Sequence, residues 1–199
     1  MPTDLVEETV IVAGRELRVV RPRDAVELLD EEAFEHEEFL PYWAELWPSA
    51  LKLAAAVTAR DLRGTRIVEL GCGLAVPSLA AALGGSEVLA TDWSEDALAF
   101  AVRNARLNGA AVETLLCSWT APQPLVERGP FDLVLASDVL YERRNVEPLL
   151  ELLPRLAGEA LVADPGRPAL RDFLDRASEG WRIDTGDAIY RLTQLRDSP

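Results

Sequence analysis

Apolar positions along the chain follow two rhythms. Short apolar runs at Arg66–Leu70, Glu87–Thr91, Val112–Leu116, Phe131–Ser137 and Ala160–Ala163 have strand length, and FDLVLAS in particular reads as a central parallel strand buried on both faces. Between them, apolar residues at helical spacing predict helices from Pro48 to about Arg60, from Val76 onward, over Glu95–Asn108, over Asn145–Leu156 and from about Ala169. Pro48 and Pro77 suit a first helical turn, where the missing N–H costs nothing, Ser94 and Asn145 suit N-caps, and Gly109 suits a stop. Thr9–Val12 and Glu16–Val20 flank Ala13-Gly14-Arg15 as a hairpin outside the main sheet. Trp181–Thr185 and Ala188–Leu195 form a closing antiparallel pair around Gly186-Asp187. These elements predict one α/β domain over residues 1–199: a hairpin and helical cover to residue 60, then a mostly parallel core over 61–199. No repeats or flexible linkers interrupt it.

The core is organised around RIVELGCGLAVPSLAAALGGSEVLATD, residues 66–92, a strand, a glycine turn, a helix and a second strand. Gly71-Cys72-Gly73 supplies backbone freedom and a close approach to a ligand, and the helix N-terminus beside it favours an anionic or polar group. Asp92 ends the second strand at the distance along the chain where a carboxylate reaches ribose hydroxyls. This is a nucleoside-binding unit. Ala75 replaces the third glycine of the dinucleotide fingerprint, and Glu69 places at the strand end a carboxylate that repels a diphosphate but suits a ligand bearing an ammonium and a sulfonium. Glu69, Asp92, Trp119, Asp138 and Asp164 all fall at carboxyl ends of strands, where open α/β sheets bind ligands.

Composition narrows the partners. A net charge of -14 argues against nucleic acid and for a basic protein segment or an amine. The stretch 24–40 is strongly acidic, either a solvated helical face or a negative rim for a cationic substrate, and His36 within it reads as solvated. Cys72 and Cys117 fit no metal spacing and read as reduced thiols, so no metal site is expected. An acidic start and the lack of a membrane-length apolar run predict a cytoplasmic protein without a membrane segment. Arginine supplies all basic charge except Lys52, a bias associated with GC-rich bacteria.

PYWAELWPSA, residues 41–50, crowds Tyr42, Trp43 and Trp47 before a helix; such aromatics either wall a cleft or fill core. The ordered set of W-P-S-A, E-x-G-x-G, T-D-W and D-V-L-Y (Asp138–Tyr141) resembles the motifs of the seven-strand, class I protein lysine methyltransferases that use S-adenosylmethionine. With A-D-P-G-R-P at Ala163–Pro168, it is most similar to the electron transfer flavoprotein beta-subunit lysine methyltransferases and their bacterial relatives, over roughly residues 40–170.

That resemblance implies a Rossmann-like sheet of seven strands. It implies that Gly71, Cys72 and Gly73 approach the methionine part of the cofactor, that Glu69 lies at the same end, that Asp92 holds the ribose, and that Trp93 borders the adenine. Trp47, Trp119 and Ser137 would line the same pocket. Asp138 and Tyr141 would orient the incoming lysine amine, although their spacing alone equally describes a turn pair. Asp164 and Arg167 would position substrate or clamp their loop by an ion pair. The implied partner is a protein presenting a lysine, the electron transfer flavoprotein beta subunit by resemblance, to a monomeric enzyme. The rival readings are a small-molecule N-methyltransferase acting on a nicotinamide-like or amine metabolite, and a nicotinamide-dependent oxidoreductase.

Overall fold

The computed structural model describes residues 4–25 and 41–195, so most of the acidic stretch 24–40, with His36, lies outside the described residues. Seven strands form the main sheet: β3 (Arg66–Leu70), β4 (Glu87–Asp92), β5 (Val112–Leu116), β6 (Leu133–Ser137), β7 (Glu159–Ala163), β8 (Trp181–Gly186) and β9 (Ile189–Gln194). Their order across the sheet is β5-β4-β3-β6-β7-β9-β8. Strands β3 to β7 are parallel, whereas β9 runs antiparallel to both β7 and β8. From β3 the chain winds outward through β4 to β5, then returns to lay β6 on the other side of β3. A crevice therefore opens at the carboxyl ends between β3 and β6, where connections leave in opposite directions.

Local chemistry sets the helix boundaries. Helix α1 (Pro48–Thr58) and α2 (Val76–Leu83) each open on a proline in the first turn. Helix α3 (Glu95–Asn108) starts where the Ser94 hydroxyl accepts from Ala97 N and stops at Gly109, whose φ of 66° is left-handed. A short helix α4 (Gln123–Val126) was not foreseen from the pattern, because four residues carry no periodicity. Helix α5 (Val146–Leu156) does begin after Asn145, but that side chain does not cap it; its amide donates to the Val139 carbonyl at 2.8 Å. Helix α6 (Pro168–Ala177) follows β7.

The helices cover both faces. Leu149, Leu152, Leu153, Leu170 and Phe173 from α5 and α6 bury one side, and Leu53, Val57, Leu79 and Phe100 from α1, α2 and α3 bury the other. The terminal hairpin, β1 (Leu5–Val12) and β2 (Arg15–Pro22), stays out of the main sheet as its isolated sequence position predicted. Leu17, Val19 and Val20 of β2 are buried in the second cluster, each contributing roughly 1.5–3 kcal/mol of apolar burial. Polar anchoring completes the attachment. Asn104 on α3 is fully buried; its carbonyl accepts from Val20 N at 2.8 Å and its amide donates to Leu74 O at 3.2 Å. One side chain thus ties the hairpin to the glycine loop.

Candidate functional site

The glycine loop leaves β3 through three left-handed residues, Gly71 (φ 65°), Gly73 (φ 49°) and Ala75 (φ 61°). A Cβ on Gly71 would stand 3.1 Å from Val139 Cγ1, and one on Gly73 would stand 3.0 Å from the Trp43 carbonyl oxygen. Both positions therefore need glycine for space as well as for backbone. Ala75 holds the left-handed conformation of the missing third glycine despite its methyl, at a cost of roughly 1–2 kcal/mol.

Glu69 departs from its expected place. It is 0% exposed and lies beneath the loop, where one carboxylate oxygen accepts from Ser78 N at 3.0 Å and from the Ser78 hydroxyl. It fastens the first turns of α2 from below and is no wall of the cavity. Desolvation by burial, only partly countered by the Ser78 bonds, pushes its carboxyl up to about 8.

Above the loop opens a cavity of about 840 Å³, within the range for small-molecule sites. Gly71, Cys72 and Gly73 floor it, and Asp92 borders it from the end of β4. One Asp92 oxygen accepts from Gly73 N and the other from Ser94 N, each at 3.0 Å. With about four lone-pair sites, the carboxylate retains acceptor capacity for a ligand hydroxyl. Burial raises the Asp92 carboxyl above its ordinary value, and the backbone donors Gly73, Ser94 and Trp93 oppose that shift. Trp93 stands 49% exposed at the lip, and Trp119 and Ser137 contribute to the wall. The Cys72 thiol is buried and held well above its ordinary pKa by desolvation.

The aromatic run 42–47 divides its labour. Trp43 also turns a ring inward, 5.2 Å from that of Phe100, as core filling would have it. Trp47 walls the cavity, its indole N–H donating to the Tyr42 carbonyl at 2.9 Å. Tyr42 rests its ring 5.3 Å from Tyr141 and 6.3 Å from Trp47. Tyr42 and Trp43 belong to the lining yet carried no assigned role in the motif reading. The signal was present in the density of aromatics between residues 42 and 47.

Asp138 follows β6 with a left-handed φ of 57°, its N–H donating to Ala163 O at 2.9 Å. Its Oδ1 pairs with Arg167, while its buried Oδ2 has no hydrogen-bond partner among the described residues. Arg167 also reaches Asp164 Oδ2 at 3.2 Å and lays its guanidinium 5.7 Å from the Trp47 ring centroid. Asp164 itself is fully buried, accepting from Gly166 N and Arg167 N, each at 2.8 Å. It shapes the turn into α6 and does not reach the cavity, so its candidate substrate role gives way to the loop-clamping one. Arg167 does line the cavity. Tyr141 also lines the cavity, half-exposed, and burial raises its phenol above the ordinary value.

A mostly parallel seven-strand sheet with a glycine loop and a ribose-type carboxylate at its switch point defines the class I methyltransferase fold. The crystal structure of ribosomal protein L11 methylase from Lactobacillus delbrueckii subsp. bulgaricus shares it, with a TM-score of 0.60 at 23% identity over 77% of this chain and 81% of that one. Within that class the chain belongs to the lysine methyltransferase family, whose model matches residues 39–163. It is similar to the electron transfer flavoprotein beta subunit lysine methyltransferase of Xenopus laevis, 30% identical over 171 residues, covering 77% of this chain and 66% of that protein. It is similar also to protein N-lysine methyltransferase METTL21A of Danio rerio, 32% identical over 127 residues, covering 60% of this chain and 58% of that protein. The matched part of the chain thus spans 58% to 66% of these relatives' own lengths.

Proposed function

We propose that the protein transfers a methyl group from S-adenosylmethionine to the side-chain amine of a lysine in a protein, in the cytosol. The observation that carries this reading is the convergence on one cavity of the Gly71–Gly73 loop and Asp92 with Asp138 and Tyr141. The family match supports the same chemistry. The residues fit the cofactor: a loop with glycine at positions 71 and 73 for its methionine part, the Asp92 carboxylate for the ribose hydroxyls, and Trp93 at the lip for the adenine. Trp47, Trp119 and Ser137 would border it. When bound, the sulfonium supplies an electrophilic methyl group.

A lysine amine is protonated at neutral pH in all but roughly one part in a thousand, and the charged form has no lone pair to offer. The chain's task is to bind, orient and dehydrate the amine. Asp138 accepts its N–H, and Tyr42, Trp47 and Tyr141 keep water away and give a methylated ammonium ring faces to rest against. The proton leaves to solvent before transfer. With the cofactor held by Gly71, Cys72, Gly73 and Asp92, the methyl group would pass to the nitrogen lone pair that Asp138 orients, and the thioether would leave with the bond electrons.

The net charge of -14 suits a basic segment around the target lysine. The similarity to the Xenopus protein favours the electron transfer flavoprotein beta subunit as substrate. The test is transfer of radiolabelled methyl into a lysate of the native host, wild type beside Asp138→Ala. A labelled protein band lost in the variant supports the reading. Label confined to small molecules replaces it with a metabolite N-methyltransferase, and no label with no S-adenosylhomocysteine binding removes it.

A further inference from the structure

Beside the cavity the Arg167 guanidinium meets two carboxylates, Asp138 and Asp164, and of their four oxygens Asp138 Oδ2 has no hydrogen-bond partner among the described residues. Asp138 is 7% exposed and Asp164 is fully buried, so neither charge is dissipated by water. Arg167 is held from three sides, by both carboxylates and by the Trp47 ring. It is also anchored at its backbone, whose N–H donates to Asp164. Such a group is built to stay in place when substrate enters.

A lone buried carboxylate is a poor host for a nucleophilic amine, because it favours the ammonium form, which cannot attack. Resting on the function proposed above, we propose that Arg167 is a positioning residue acting through Asp138. It holds Oδ1 so that Oδ2 is the one acceptor offered to the amine, and it offsets the carboxylate's charge so that the amine can be neutral at transfer. The other charged groups around the cavity are Asp92 behind the glycine loop, Glu45 near Arg21 at 3.7 Å, and Glu142 paired with Arg144. Two phenols, Tyr42 and Tyr141, and the thiols of Cys72 and Cys117 are the remaining titratable groups on its wall. Among these, Arg167 is the cation in contact with Asp138.

The experiment uses the full chain, S-adenosylmethionine and the purified protein that takes label in the lysate, with kcat and KM followed from pH 6.5 to 9.5. The kcat profile reports groups in the bound complex. In Arg167→Gln, kcat falls about tenfold at pH 7.5 and its rise with pH moves up by about one unit, since an opposite or like charge at such range shifts a pKa by roughly that much. KM for the protein does not rise, because a bare Asp138 holds an ammonium at least as well. Arg167→Lys, which keeps the charge, restores the wild-type profile. Asp138→Asn moves the profile the other way, to lower pH, and stands as the deciding variant should Arg167→Gln fail to fold. S-adenosylhomocysteine affinity by calorimetry stays within about twofold of wild type in the folded variants.

Parallel profiles for wild type, Arg167→Gln and Asp138→Asn overturn the proposal and leave the lysine methyltransferase reading intact. So does a loss confined to KM. A wild type that labels no protein overturns both.

Discussion

Glu69→Gln isolates the energy of a carboxyl group placed where no water reaches. The folded carboxyl keeps its proton up to about pH 8, against an ordinary value of 4.5. Between those values the folded state holds a proton that the unfolded state has released, so raising the pH through this window lowers stability. Each pH unit inside it costs about 1.4 kcal/mol, so from pH 5 to pH 7 the loss from this one group is roughly 2–3 kcal/mol. Glutamine retains an oxygen for Ser78 N and does not titrate. Urea unfolding of wild type and variant at pH 5, 6, 7 and 8 therefore gives a difference in stability that moves steadily in the variant's favour by roughly 2–3 kcal/mol between pH 5 and 7. Taking the difference cancels the titration of all other carboxylates. A difference that stays constant across this range refutes the reasoning and means that Glu69 is ionised in the fold.

Asp92→Asn is expected to weaken S-adenosylhomocysteine binding roughly 10–100-fold by calorimetry, since hydrogen bonds to a charged acceptor contribute about 1.5–3 kcal/mol; unchanged affinity denies Asp92 the ribose. Gly73→Ala must adopt a left-handed φ and press its methyl against the Trp43 carbonyl 3.0 Å away. A loss of about 2 kcal/mol, or a fall in Tm of roughly 4–8 °C, is expected, with weaker cofactor binding. Gly14→Ala, at φ 83° but with nothing within 4 Å, shares only the backbone strain and is expected to cost about half as much in the same melting assay.

The sheet was legible because its strands are continuous apolar runs and its helices begin and end on residues with local reasons, Pro48, Pro77, Ser94 and Gly109. The glycine loop and Asp92 were legible for the same reason: their chemistry is written in short spacing. Glu69 was misplaced because a strand buried on both faces has no polar side to show which way a carboxylate points, whereas Asp164 lies in a turn where it accepts from Gly166 N and Arg167 N. Glu69's partner, Ser78, lies one helix turn into the next element, and the Asp138–Arg167 pair joins the ends of neighbouring strands β6 and β7. Such pairings depend on strand order, which no local pattern encodes. Trp47 was assigned to the cavity by resemblance and stands there; Tyr42, from the same run, needed the fold to show its face.

Asn104 spans the hairpin and the loop with a single amide, and this makes the two thermodynamic partners. Undocking β2 strips a buried acceptor of its donor and loosens the hold on Leu74, the residue between Gly73 and Ala75. Any molecule that binds only the ordered loop must, by mass action, also hold the hairpin down. The protection should be visible far from the cavity: with S-adenosylhomocysteine present, a protease should cut the chain near Ala13-Gly14 more slowly, and in Asn104→Ala that link should be broken.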